Sequence, residues 1–143
     1  MSPENNTRAD RHLILASGYA EAARRVLAAE IADDVRLPYF ALVAHGLELA
    51  LKAILLRDGR DEEDLIWMGH DLAGCRDAVE RSRPAFVEAI APGFTAIIDA
   101  LSYPHALQCF RYPQRTPRDL ADPASALDAL QRLLAAETAE PGG

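Results

Sequence analysis

Only two cysteines, Cys75 and Cys109, occur in 143 residues. They stand far apart with no CxxC pairing, so neither a disulfide framework nor a cysteine zinc site is signalled, and both read as small core residues. Positive charge is also short. Against 22 Asp and Glu stand 15 Lys and Arg, a net charge of −7, which argues against a surface devoted to wrapping nucleic acid. No DNA partner is expected. The stretch from Met1 to Asp10 is polar and has no apolar signal core. No later stretch reaches about 18 apolar residues uninterrupted by a charge or a histidine. These absences predict a soluble, cytoplasmic chain with no membrane partner. Alternation of period two and internal repeats are missing as well, which excludes a strand-built or repeat fold.

What remains is helical. At 50% hydrophobic, a chain of this length buries a core without disulfides or metals. We expect one all-α domain over residues 9–138, an up-and-down bundle of four to five helices, with a disordered leader (1–8) and a flexible tail (139–143). The first helix is expected from about Ala9 or Asp10 to about Ala32, with Leu13, Ala16, Ala20, Ala23, Leu27 and Ile31 at helical spacing. Asp33-Asp34 and Leu37-Pro38 end it, because the residue before proline is pushed out of the α region. Pro38 to Arg57 follows, a helix apolar almost all the way round and therefore a central one. Leu65 to Met68 reads as a short plug at the end of the bundle. Asp71 caps a helix running to about Ser82. Pro92-Gly93 breaks Pro84 to Ser102 into two helices. Tyr103 to Asp122 reads as loop, with room for one helical turn around Ala106 to Phe110. The last helix has Asp122 as N-cap and Pro123 at its first position, and ends near Thr138.

The polar residues inside the central helix are His45, Glu48 and Lys52, and their spacing of three and four puts them on one stripe. Glu48 and Lys52 form either a satisfied polar edge that fixes register or a subunit contact, or part of a ligand site. His45 either hydrogen-bonds Glu48 or packs as a neutral core residue. His70 can turn back onto the end of the central helix while Asp71 caps the next. Arg111 stands beside Tyr112-Pro113 on a stiff loop, suited equally to a phosphate or to a carboxylate such as Glu48. Arg115 and Arg118 join it in the one candidate basic patch. No Glu-x-x-His motif occurs, so no metal is expected, and no cofactor is signalled.

Three elements in order, Leu47-Glu48-Leu49-Ala50-Leu51-Lys52, Gly69-His70-Asp71-Leu72 and Arg111-Tyr112-Pro113, resemble the HEPN (higher eukaryotes and prokaryotes nucleotide-binding) family over about residues 12 to 135. The resemblance implies a helical bundle, usually a homodimer. Its relatives include partners of small nucleotidyltransferases and toxin ribonucleases of toxin-antitoxin systems. It further implies that Glu48, Lys52, His70 and Arg111 line a groove or dimer seam. The ribonuclease branch carries an arginine followed four to six residues later by a histidine, and this chain has no such pair. The expected function is therefore a non-catalytic homodimeric bundle that binds a nucleotide or other anion, or a nucleotidyltransferase-type partner. The expected ligand contacts are His45, Glu48, Lys52, His70, Arg111 and Tyr112, with Arg111 and Lys52 converging on one groove. The alternatives are a divergent ribonuclease using His105 and Arg111, or a plain protein-interaction module.

Overall fold

The computed structural model describes residues 2–112 and 120–139. No strand occurs among them, so the all-α class stands, but they form seven helices rather than four or five. The expectations for Arg115 and Arg118, for the two prolines beside them and for the last residues of the tail lie outside the described residues.

Helix α1 (Pro3–Ala28) begins well before Ala9, and the supposed leader is its first two turns. Ser2 is the N-cap, its hydroxyl accepting the Asn5 N–H at 3.1 Å, and Pro3 follows with its φ already helical. The Asn5 side-chain amide then donates to the carbonyls of Leu56 and Arg60 at 3.1 and 3.0 Å. Those carbonyls lie at the end of α2 (Asp33–Arg57), where the Gly59 N–H also bonds that of Leu56 at 3.1 Å, and just beyond it. The polar leader is ordered because it caps another helix.

The α1–α2 boundary also differs from expectation. Helix α1 ends at Ala28, and Glu30 reverses the chain with φ 68°. Asp33 and Asp34 do not stop the first helix; they form the first turn of the second, where carboxylates favour the dipole. Pro38 sits inside α2 and Leu37 is helical despite preceding it. The proline falls near the N-terminal end, where it removes a single hydrogen bond.

Helix α2 is central, as its composition requires, and packs against α1, α4, α6 and α7. Tyr39, Phe40, Val43, Leu47, Leu51, Ile54, Leu55 and Leu56 are all buried. It is also long and apolar enough to cross a membrane, yet 78% of its most apolar window is buried within the bundle, which is the pattern of a core helix. Gly46 lets neighbours approach: a Cβ there would stand 2.7 Å from a Leu130 methyl and 3.4 Å from the Tyr19 Cβ.

Helix α3 (Glu62–Met68) replaces the expected plug. Leu65 alone is buried, while Ile66 and Trp67 are 73% and 81% exposed. Asp71 caps α4 (Leu72–Ser82) as expected, accepting the Gly74 N–H at 2.9 Å. The break at Pro92-Gly93 is present: α5 (Pro84–Ile90) and α6 (Gly93–Ala106) meet at 96°. Phe94, Ile97, Ile98 and Leu101 are buried on α6. This helix runs on through Tyr103 and Pro104 to Ala106, into the stretch read as loop, and a single 3₁₀ turn follows at Cys109–Arg111. The final helix α7 (Pro123–Ala139) starts after Asp122, whose carboxylate accepts the Ser125 N–H at 3.0 Å.

Candidate functional site

The polar stripe of α2 meets its partners through Glu48, which is 4% exposed. A carboxylate only accepts, so both histidines that reach it must donate: His70 Nδ1 at 2.7 Å and His105 Nε2 at 2.8 Å, both to Oε1. Lys52 Nζ takes Oε2 at 3.1 Å. Burial alone would raise this carboxyl, but the hydrogen bonds from His105 and His70 and the Lys52 charge outweigh it and hold the pKa at about 2.

The Gly69-His70-Asp71-Leu72 element is built around that carboxylate. Gly69 turns the chain after α3 with φ 56°, and its carbonyl accepts from Lys52 Nζ at 2.7 Å. His70 then reaches Glu48, in the middle of α2 rather than at its end. Asp71 caps α4, and Leu72 is fully buried. The first two elements of the family resemblance are thus one structural unit, clamped by Glu48 and Lys52.

Beside it opens a cleft of about 360 Å³ lined by Tyr19, His45, His70, His105, Gln108 and Arg111 together with Ala41, Leu42 and Phe110. Gln108 adopts a left-handed conformation (φ 55°) that reverses the chain out of α6; the 3₁₀ turn that follows buries Phe110 and brings Arg111 to the cleft. The Arg111 side chain is exposed and makes no hydrogen bond or ion pair with the described residues, so the pairing with Glu48, one of its two expected roles, is absent. His45 likewise bonds none of them. It packs edge-on against Tyr19, ring centroids 4.8 Å apart, and lies 6.3 Å from the His105 ring. Burial lowers its pKa, with Glu48 opposing and His105, His70 and Lys52 assisting.

Of the residues named from the sequence, the fold therefore gathers His45, His70 and Arg111 in one cleft with Glu48 directly behind His70 and His105. Lys52 is not with them. It lines a separate, smaller cleft with Arg8, His12 and Glu62, because it stands a full turn beyond Glu48 and its ammonium is held by Gly69. The expected convergence of Lys52 and Arg111 is corrected accordingly. Tyr112 is 46% exposed and lies outside the cleft lining. Tyr19 and Gln108 carry no signal in the sequence, and His105 enters from the sequence only as a candidate nuclease residue. His105 lies beside Pro104 in a stretch whose prolines hide its helical register.

A second buried carboxylate, Glu137, has no exposure and accepts from Arg83 at 3.1 Å, with Arg57 at 3.4 Å. Burial raises its pKa against the pull of Arg83 and Arg57. Arg83 also grips Asp58 at 2.7 Å, so this network ties the ends of α2, α4 and α7 and is structural.

Compared with family models, with characterised proteins and with solved structures, the chain matches none.

Proposed function

We propose that the protein is a HEPN-like homodimeric bundle whose histidine- and arginine-lined cleft holds the phosphate of a nucleotide or a similar anion, alone or while docked on a nucleotidyltransferase-type partner. One observation carries this reading. In a chain of net charge −7, the cleft is lined by three histidines and Arg111, no carboxylate is among its lining residues, and the Arg111 guanidinium has no partner among the described residues. A guanidinium on a short rigid turn is a ready phosphate fork. The volume, about 360 Å³, falls in the range of small-ligand sites. Exposed Ile14 and Leu15 on α1, and Leu107 beside the cleft, offer apolar surface to a second copy.

The test is thermal unfolding with a nucleotide panel in the presence of a chelator, on the parent and on Arg111→Ala. A nucleotide at about 100 times its Kd adds roughly 2.7 kcal/mol, a shift of several degrees in a domain this size. The shift is expected in the parent and absent in the variant. No shift with any nucleotide would move the reading to a protein partner alone.

A second reading, phosphodiester cleavage, is favoured by the fact that His105 and Arg111 line the same cleft. It requires an imidazole for proton transfer and the guanidinium for the phosphorane charge. Single-stranded RNA left intact by the purified protein would remove it.

A further inference from the structure

We propose that His45, Glu48 and His105 form a binding site for a divalent transition-metal ion, zinc in the first instance. Their ligand atoms, one from each side chain, all lie within 4.8 Å of one another. Zinc bonds of about 2.0–2.1 Å in tetrahedral array put donors roughly 3.4 Å apart. The present His105 Nε2 to Glu48 Oε1 separation of 2.8 Å lies below that spacing and the 4.8 Å bound above it, so small side-chain rotations suffice.

The placement suits a metal in three further respects. His45 and Glu48 stand one turn apart on α2 and His105 comes from α6, the arrangement by which bundles build metal sites on facing helices. His45 bonds no described residue, so its ring nitrogens are uncommitted. Glu48 is already oriented: Lys52 holds Oε2 and His70 reaches Oε1, the kind of support that fixes a ligating carboxylate. On metal binding His105 passes to its other neutral tautomer: Nε2 gives up its proton, Nδ1 takes one from solvent, and the Nε2 lone pair goes to the metal. Two imidazoles and one carboxylate match the donor set of zinc sites that keep a fourth position open. Both histidines line the cleft, which leaves that position accessible from it.

The site needs no nucleotide, so it is tested with zinc alone. Chelator-treated protein is titrated with Zn²⁺ by calorimetry and with Co²⁺ by visible absorption, on the parent and on His45→Ala, His105→Ala and His12→Ala. One zinc per chain is expected, with a Co²⁺ spectrum of low coordination number. His45→Ala and His105→Ala should weaken binding by more than roughly 100-fold, since even loss of a residue that only supports a ligand costs about 10–100-fold. His12→Ala, in the other cleft, should bind as the parent does. His45→Ala leaves every hydrogen bond of Glu48 in place, so the test survives even if His105→Ala unfolds. No stoichiometric binding by the parent, or binding unchanged in folded His45→Ala, overturns the proposal. Neither result bears on the nucleotide shifts, which are measured in chelator.

Discussion

At the scale of single residues, the molecule turns on Glu48. Three donors converge on a carboxylate that is 4% exposed, and Lys52, whose side chain is 11% exposed, has Glu48 as its only charged partner among the described residues. Glu48→Ala would leave that ammonium in a largely dry site with the Gly69 carbonyl alone, and removing one partner of a buried pair costs about 3–5 kcal/mol. Urea unfolding should show a loss of that size. A loss below about 1 kcal/mol would mean that the pair is screened like a surface bridge. The stripe of His45, Glu48 and Lys52 was legible from spacing alone, because a helix converts separations of three and four into one edge. What spacing does not tell is which neighbour meets each rung. His105 reaches Glu48 from 57 positions away, and Lys52 turns to the opposite cleft from Arg111. Neither fact has a local signal in the chain.

At the scale of elements, two of the boundaries read correctly, at Asp71 and Asp122, have a capping aspartate, and a third, at Pro92-Gly93, has a breaker. Asp71 and Asp122 bond the N–H groups three residues on, as a capping aspartate should. Boundaries were misread where the stabilising partner is distant. The leader looked disordered because its own residues are polar, yet Asn5 donates to the Leu56 carbonyl at the end of α2 and to the Arg60 carbonyl just beyond it. Proline misled twice. Pro38 and Pro104 lie within helices whose packing outweighs the loss of one hydrogen bond. A chain lacking residues 2–8 should therefore be less stable, by about 2 kcal/mol for two lost hydrogen bonds at about 1 kcal/mol each. Its Tm should fall by roughly 5–10 °C, and Asn5→Ala alone should reproduce most of the fall. An unchanged Tm would restore the reading of an idle leader.

At the scale of the whole molecule, the core carries groups whose ionisation opposes folding from the alkaline side. Tyr39 and Cys75 have no exposure, and burial pushes each up to about 12, from 10.0 and 9.0 respectively. For Tyr39 the nearby Asp122 charge adds to the effect, and its hydroxyl donates to the Pro123 carbonyl, joining α2 to the start of α7. In the unfolded chain both groups lose their protons at the lower, ordinary values, while the folded protein keeps them. The unfolded state therefore binds fewer protons across this window, and stability falls as pH rises. The contribution of these two groups is fully present below about pH 9 and drains away between about pH 9 and 12. Urea midpoints measured at intervals from about pH 8 upward should trace that decline. Tyr39→Phe loses the bond to Pro123 and starts from a lower midpoint. Above about pH 10, however, its curve should be shallower than the parent's, because one of the two protons no longer depends on the fold. Parallel curves would show that the tyrosine hydroxyl ionises as freely in the bundle as in the unfolded chain, and that the contact between α2 and α7 opens before the core does.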